Sequence, residues 1–294
     1  MPTSLIDWQI TKPMTDLHTE ELTKSTTRRL SKIDNPHETA LILLAHVLQK
    51  PKTWLIAHPD AYLTPEQSNR LEGLVQRLCN GEPLPYLTGH QEFFGLDFYV
   101  TPDVLIPRPE TELLVEQALE WLQSHPQASR GIDVGTGSGC IPISLLKNNL
   151  QILLTGADIE DCALAVASMN ARAHHVEDRI HLIQSDLLEN VQGKYDLMTA
   201  NLPYIPTGKL SNLNHLAFEP KLALDGGKDG LVLINHLLDQ APTHLNRPGL
   251  ILLEIESTLG KESLELAKSA FPAANTSLFQ DLSWLDRIIA IEVN

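Results

Sequence analysis

From residue 130 to residue 294, short apolar runs alternate with segments of helical periodicity. The short runs predict buried strands, and the segments between them predict helices. This alternation predicts an α/β domain with a doubly wound, mostly parallel sheet. The predicted strands cover residues 132–134, 152–157, 180–183, 195–200, 250–255, 275–279 and 287–293, and the predicted helices cover residues 140–146, 163–173, 231–240 and 261–270.

Residues 1–85 show helical patterns and predict a small, separate helical bundle. Two helix starts, at Asn35 and Thr64, each combine a capping residue with a proline directly after it. Between them, the run 41–48 is apolar on most sides, which predicts the central helix of the bundle.

Residues 86–101 connect the bundle to the α/β domain. Two aromatic, β-prone runs flank Gly95 in this segment, which predicts a β-hairpin. The chain is therefore predicted to consist of a helical domain over 1–85, a hairpin linker over 86–101 and an α/β domain over 102–294.

Charge is distributed unevenly along the chain. The net charge is −15; residues 1–85 carry 9 Lys and Arg against 10 Asp and Glu, a net of −1, so the remainder has 13 against 27, a net of −14. An acidic body repels phosphate backbones and argues against a nucleic-acid partner. The near-neutral bundle is therefore the better candidate for docking a protein.

The first predicted helix of the bundle, near residues 16–33, carries the cations Lys24, Arg28 and Arg29. They form either a solvated face or a contact surface for an acidic partner.

Other classes of protein are disfavoured by simple features of the sequence. Its apolar runs are shorter than the roughly 18 residues that a membrane span needs, and its first residues do not resemble a secretory signal. Cys79, Cys140 and Cys162 are far apart and fit neither a disulfide framework nor a zinc site. We expect three small buried thiols, a reducing cytoplasm, and neither a metal ion nor a membrane as partner.

The predicted strand 195–200 leads directly into Asn201-Leu202-Pro203-Tyr204. Open α/β sheets bind ligands in loops at the carboxyl ends of their strands. A planar amide or amino-purine could lie on Tyr204 and donate its two N–H hydrogens, one to the Asn201 side-chain oxygen and one to a loop carbonyl, which every residue carries. We therefore predict that this loop is catalytic and binds a substrate through an NH2 group.

A glycine-rich loop follows the predicted strand 132–134 and precedes a helix that starts near Cys140. Glycines allow the backbone to turn tightly and to approach a ligand closely. The loop is neither the dinucleotide-binding fingerprint nor a phosphate-binding P-loop. Its residues are Gly135, Thr136, Gly137, Ser138 and Gly139.

Two carboxylates stand at the ends of the next two predicted strands. Asp158 can take both hydroxyls of a ribose, and Asp186 can accept from an adenine amino group while Leu187 covers the ring. Ordinary solvation of strand ends would explain either acid alone. Their succession after a glycine loop favours an adenosine ligand without phosphate.

A proline-flanked arginine precedes the helix that starts near residue 109. Pro107 and Pro109 stiffen the arm around Arg108, and Glu110 follows. A local ion pair and a charge at the helix start explain these groups. Alternatively, the stiff arm holds Arg108 beside a ligand, and the pattern leaves both interpretations open.

Together these motifs resemble the HemK/PrmC family of protein-glutamine methyltransferases, and the resemblance covers nearly the whole chain. The Asn201 loop is similar to the Asn-Pro-Pro-Tyr signature of amino-group methyltransferases but has Leu202 in place of the first proline. A second departure is Glu256, where the family usually shows glycine in Glu-Ile-Gly. The matching motifs are Glu-Phe-Phe-Gly at 92–95, Leu-Ile-Pro-Arg-Pro-Glu-Thr-Glu at 105–112, Asp-Val-Gly-Thr-Gly-Ser-Gly at 133–139, Asn-Leu-Pro-Tyr-Ile-Pro at 201–206, Glu-Pro at 219–220, Gly-Gly at 226–227 and Gly-Leu at 230–231.

The resemblance implies a class I, Rossmann-like methyltransferase that uses S-adenosylmethionine. It implies that the glycine loop holds the methionine end of this cofactor, that Asp158 holds the ribose, and that Asp186 and Leu187 hold the adenine. Asn201, at the junction of cofactor and substrate, would face the transferred methyl group.

The implied substrate is the glutamine of the Gly-Gly-Gln loop in class 1 peptide-chain release factors, methylated at its side-chain nitrogen. Asn201 and the Leu202 carbonyl would hold the amide, with Pro203 and Tyr204 packed on its plane and Arg108 nearby. The enzyme is expected to act as a monomer.

Two other functions fit parts of the pattern. An adenine N6 or cytosine N4 methyltransferase on nucleic acid would share the loop chemistry, although the acidic body opposes it. A non-catalytic binding protein would make Leu202 a mark of lost activity, although the glycine loop, Asp158 and Asn201 are all retained.

Overall fold

The computed structural model describes residues 17–211, 213 and 216–294. The chain divides into two compact units between Thr88 and Gly89. The functional assignment of the three predicted segments 1–85, 86–101 and 102–294 stays a prediction.

The first unit is built from helices around a leucine-rich core. Thr64 caps its fourth helix as predicted, because its hydroxyl accepts from the Gln67 amide while the Gln67 side chain accepts from the Thr64 amide. Asn35 differs from the prediction: it occupies the cap position in the left-handed region, and its side chain accepts no capping hydrogen bond. The helices are α1 (Thr19–Arg29), α2 (Pro36–Leu48), α3 (Lys52–Ala57), α4 (Pro65–Cys79) and α5 (Leu84–Thr88).

Ion pairs within the first unit engage two of the three cations on α1. Lys24 pairs with Glu20 one turn earlier, and Arg29 donates to both oxygens of Glu72 at 2.6 Å. These contacts favour the solvated, intramolecular interpretation for these two side chains. The predicted helix start at residue 16 lies outside the described residues.

The predicted hairpin forms, but over fewer residues than expected. Its strands are β1 (His90–Phe93) and β2 (Leu96–Tyr99), which pair antiparallel around Gly95. Residues 86–88 were predicted to belong to the hairpin but lie in the helix α5 instead. Phe93 and Phe98 are buried in one cluster with Leu114 of α6 (Glu112–Ser124), so the hairpin shares a core with the second unit.

Within the described residues, the second unit is centred on a seven-stranded sheet with the order β5-β4-β3-β6-β7-β9-β8. All neighbouring strands from β5 to β7 are parallel, and β9 is antiparallel to both of its neighbours. The sheet confirms the predicted class I architecture. In chain order the elements are β3 (Arg130–Val134), α7 (Cys140–Asn148), β4 (Leu153–Asp158), α8 (Asp161–Ala173), β5 (Ile180–Gln184), β6 (Tyr195–Ala200), α9 (Thr207–Leu210), α10 (Val232–Gln240), β7 (Leu245–Glu254), α11 (Gly260–Ala270), β8 (Asn275–Gln280) and β9 (Asp286–Val293).

The order of the strands determines where a ligand can bind. From the central strand β3 the chain proceeds to β4 and β5 on one side, then returns to β6 and β7 on the other. The direction of winding reverses between β3 and β6, and α/β sheets bind ligands at the carboxyl ends of the strands at such a reversal. The glycine loop and the Asn201 loop therefore follow adjacent strands at this point.

None of the helices in the described ranges is long and apolar enough to cross a membrane. All three cysteines are free, but only Cys140 is buried; Cys79 and Cys162 are exposed, so the prediction of three buried thiols was wrong for these two.

Candidate active site

A cavity of about 460 Å³ opens at the carboxyl ends of the central strands. This volume is within the usual range for small-molecule and cofactor sites, roughly 300–1,000 Å³. Most of the predicted site residues line it: Arg108, Gly135, Thr136, Gly137, Ser138, Asp158, Asp186, Leu187, Asn201, Leu202 and Pro203. Two predicted residues, Gly139 and Tyr204, are not in this lining.

The glycine loop is tied back onto the neighbouring strand. The amides of Gly135 and Thr136 both donate to the Ala157 carbonyl, at 2.8 and 2.9 Å. Gly139 has a packing role instead of lining the cavity, since a Cβ there would lie 3.2 Å from the Ala167 side chain of α8 and 3.0 Å from Ile143. Glycine at this position therefore allows α7 to pack closely against α8, and direct cofactor contact by Gly139 stays a prediction.

The Asp158 carboxylate is held in place by the backbone around it. One oxygen accepts from the Gly137 amide at 2.8 Å and the other from the Glu160 amide at 3.1 Å. Burial raises its pKa, and these hydrogen bonds oppose the rise. The carboxylate still has lone-pair capacity for an outside donor such as a ribose hydroxyl. Glu160 also lines the cavity and adds a further carboxylate, which was not predicted from the sequence.

The Asn201 side chain lies between the cavity and an unexpected partner. Its Nδ2 donates to the Thr111 hydroxyl oxygen at 3.0 Å. Leu202, the departure from the family signature, is 4% exposed and belongs to the core cluster beneath the sheet edge. One of its methyl groups would lie 3.1 Å from a Cβ on Gly135, so the side chain packs under the glycine loop. Leucine therefore fills space in the core at this position, and its backbone carbonyl is retained.

Tyr204 lies among charged side chains. Burial raises its pKa to about 12, and the negative charge of Glu254 adds to this effect, whereas Arg287 and Arg108 oppose it. The stacking of Tyr204 on a substrate amide stays a prediction.

Arg108 combines features of both interpretations that the sequence left open. It lines the cavity, and it forms an ion pair with Glu219, not with the neighbouring Glu110. A second oxygen of Glu219 accepts from the Ile106 amide at 3.3 Å, and the Glu219 side chain is 2% exposed. A buried carboxylate from the long loop therefore fastens the proline arm. The role of Arg108 in substrate binding stays a prediction.

The long loop after Tyr204 is also fastened, close to the predicted catalytic segment. The Ile205 amide donates to the Leu224 carbonyl at 3.0 Å, and the Gly226 amide donates to the Ile205 carbonyl at 2.8 Å. A Cβ on Gly226 would lie 2.6 Å from the Cα of Tyr204. Only glycine allows the two backbones to approach this closely, so the loop that contains Gly226 packs directly against the Asn201 loop.

Three further polar residues near the site, Thr111, Glu219 and Glu254, were not predicted from the sequence as site residues. Thr111 and Glu219 belong to motifs that the sequence shows, but their partners are 90 and 111 residues away. Glu254 ends β7, next to β6, and the rule that identified Asp158 as a strand-end carboxylate could have found it. No group of three His, Cys, Asp or Glu side chains in the described ranges could hold a metal ion.

The cavity suits S-adenosylmethionine in its volume and chemistry. The glycine loop leads into the N-terminus of α7, and a helix N-terminus is a position that suits a carboxylate. Strand-end carboxylates at Asp158 and Asp186 match the hydroxyl and amino groups of an adenosine. The apolar side chain of Leu187 is buried and lines the same cavity.

Comparisons with known proteins agree with this geometry. Residues 21–89 match the family model of the PrmC N-terminal domain, and residues 110–218 match that of the methyltransferase small domain. The release factor glutamine methyltransferase of Moorella thermoacetica is 41% identical over 258 residues, which cover 87% of this chain and 90% of that protein. The release factor glutamine methyltransferase of Geobacter sulfurreducens is 38% identical, over 84% of this chain and 86% of that protein.

Among solved structures, the hMettl16 catalytic domain in complex with MAT2A 3′UTR hairpin 1 is similar, with a TM-score of 0.54. The alignment covers 85% of this chain and 93% of that one at 16% identity, so it supports the fold alone. Identity with the two bacterial relatives is far higher at similar coverage, and their alignments extend through both units. The chain belongs to the family of release factor glutamine methyltransferases.

Proposed function

We propose that this protein transfers a methyl group from S-adenosylmethionine to the side-chain nitrogen of the glutamine in the Gly-Gly-Gln motif of class 1 release factors. The main structural support is the position of Asn201. Its side chain lines the same cavity as the glycine loop and the two strand-end carboxylates. An acceptor for an NH2 group therefore lies next to a site suited to an adenosine.

S-adenosylmethionine supplies, when bound, an electrophilic methyl group on a positively charged sulfur. The residues of the glycine loop would hold its amino-acid end. Asp158 would accept from the ribose hydroxyls, and Asp186 would accept from the adenine amino group.

The glutamine amide is a poor nucleophile because its nitrogen lone pair is shared with its carbonyl. Hydrogen bonds from the NH2 group to the Asn201 oxygen and the Leu202 carbonyl would fix its orientation and favour a pyramidal nitrogen. The amide loses its proton after the new N–C bond forms, so no base has to act first. Positioning and fixed dipoles therefore provide most of the rate enhancement.

A labelled-methyl transfer assay with purified release factor tests the proposal. Label should enter the release factor, and mass spectrometry should locate it on the glutamine of the Gly-Gly-Gln motif. A release factor with this glutamine changed to alanine should receive none. Equal labelling of both release factors would refute the proposed target.

The same assay with DNA and RNA fragments covers the alternative of nucleic-acid methylation. A net charge of −14 beyond residue 85 disfavours that substrate. Incorporation into nucleic acid that weakens steeply with added salt would support the alternative over our proposal.

We further propose that residues 1–85 dock the release factor, and that the protein acts as a monomer in the cytoplasm without binding nucleic acid. The family match over residues 21–89 and the three free thiols support this view. Size-exclusion chromatography with light scattering tests the monomer. Binding of a fluorescent release factor to this protein, measured in competition with the unlabelled release factor, tests docking.

A further inference from the structure

The Glu254 carboxyl is buried beside Asn201. Glu254 ends β7, is 2% exposed and has no hydrogen-bond partner for its Oε2 within the described part of the chain. A buried carboxyl without full hydrogen bonding is costly, so its presence at an active-site edge calls for an explanation.

Thr111 interacts with both this carboxyl and Asn201. Asn201 Nδ2 donates to the Thr111 oxygen, and a hydroxyl has one hydrogen of its own to donate. An ionised carboxylate can only accept. Thr111 therefore accepts from Asn201 and has its own hydrogen left for the neighbouring Glu254 carboxyl, whose pKa the Thr111 hydroxyl lowers.

The charges and polar groups around Glu254 come from several elements. Burial raises its pKa to about 7, and Glu110 adds to the rise; hydrogen bonds from Thr111 and Asn201 and the charge of Arg287 on β9 oppose it. Besides burial, the charge of Glu254 also raises the pKa of Tyr204 and that of Cys140. Glu254 thus interacts with both members of the Asn201–Thr111 pair.

This arrangement determines which way the Asn201 amide faces. An asparagine amide can turn over, exchanging the positions of its oxygen and nitrogen, unless its partners favour one orientation. Here the nitrogen is directed toward Thr111 and Glu254. The oxygen is then the atom left to accept from a group in the cavity.

We propose that Thr111 and Glu254 are positioning residues that hold the Asn201 amide with its oxygen toward the substrate. The inference rests on the proposed function and identifies what orients its central acceptor. Neither residue has to touch the reacting atoms. Without them, the amide would present its nitrogen to the substrate NH2 group in part of the molecules, and two donors would face each other.

Thr111→Val is the most direct test, because valine keeps the shape and removes the acceptor. We expect kcat for release-factor methylation to fall roughly 10- to 100-fold, as for a lost hydrogen bond in a buried polar network. KM for the release factor and Kd for adenosylhomocysteine should stay within about twofold, since Thr111 does not hold the cofactor in this proposal. Thr111→Ser should restore kcat, and Thr155→Val, in a buried threonine of β4, should leave it unchanged.

Glu254→Gln provides a second, independent variant if Thr111→Val folds poorly. It should also lower kcat, and the double variant should lose no more than the worse single variant, because both residues act through Asn201. A kcat within twofold of wild type in both single variants would overturn the proposal. So would parallel losses in kcat and cofactor affinity, which would show a merely structural role. Wild-type turnover is measured first: its absence would refute the proposed function, whereas normal turnover in both variants would refute only the positioning role.

Discussion

The buried carboxyl of Asp133 lies next to the glycine loop, and its raised pKa predicts how stability depends on pH. Asp133 is the fourth residue of β3, directly before Val134 and the glycine loop, and it is fully buried. Thr199 donates to its Oδ1 at 2.7 Å, but Oδ2 has no partner among the described residues. Burial raises its pKa to about 7, against the opposing effects of the Thr199 hydrogen bond and the nearby Thr136 hydroxyl. We predict that Asp133→Asn stabilises the second unit at alkaline pH.

The size of the effect follows from the change in pKa between the folded and unfolded chain. The ordinary pKa of 3.8 is raised to about 7, and each pKa unit corresponds to about 1.4 kcal/mol, so the ionised carboxylate costs about 4 kcal/mol. Because the folded value lies above the unfolded value, the contribution of Asp133 to stability is full below about pH 4 and is lost as pH rises through 7. Asparagine does not titrate and has no such loss.

The free energy of unfolding should therefore fall with pH in wild type relative to the variant. Between pH 5 and pH 8 the difference should change by about 2–3 kcal/mol in favour of Asp133→Asn. The asparagine can keep its oxygen on Thr199 and can direct its NH2 group toward Thr136, whose hydroxyl oxygen has no partner in the described part of the chain.

Hydrogen exchange in increasing urea is the suitable assay, because the chain has two units and bulk unfolding could mix them. Peptides from β3 and β6 report on the second unit alone. Asp239→Asn is a matched control, since this carboxyl is exposed on α10 and stays in water in both states. A difference between Asp133→Asn and wild type that is the same at pH 5 and pH 8 would refute the reasoning.

Three further variants test the parts of the site. Asn201→Ala should cost roughly 2–4 kcal/mol of transition-state stabilisation in kcat, with adenosylhomocysteine affinity unchanged by calorimetry; an equal loss of both would make Asn201 structural only. Asp158→Ala should weaken adenosylhomocysteine binding by roughly 10- to 100-fold, as for a lost charged hydrogen bond, and unchanged affinity in the same titration would exclude it as a ribose ligand. Gly226→Ala should lower kcat and the melting temperature, because its Cβ would lie 2.6 Å from Tyr204. The control Gly208→Ala, with open space around it, should change neither value. If Gly226→Ala behaves like wild type as well, the two loops do not support each other.

Local patterns were sufficient to predict most of the fold. Each strand of the second unit carries its own apolar run, and strand-end positions placed Asp158, Asp186 and Asn201 at one edge, as the cavity lining shows. The hairpin was predicted too long, because Tyr86 and Leu87 are apolar enough for a strand but lie in the short helix α5. Propensity over so few residues is easily overridden by packing.

The partners of the site residues could not be predicted in the same way. Arg108 looked as if it could pair with Glu110, two residues away, but its partner is Glu219. Thr111 appeared only as a motif residue, and its contact with Asn201 spans 90 positions. Such contacts depend on how loops are folded over the sheet edge, and the periodicity of a single segment carries no information about that.

These long-range contacts share one consequence for catalysis. The proline arm supplies Thr111 to Asn201, and the loop that follows β6 supplies Glu219 to the arm and Gly226 to the back of Tyr204. The Asn201 loop is thus fixed by two segments that are themselves fastened together. An amide nitrogen needs accurate orientation more than it needs a strong base, because its proton is lost after methyl transfer. A rigid loop with one correctly turned acceptor meets that requirement, which is why we expect changes in its supports to lower kcat while cofactor affinity is preserved.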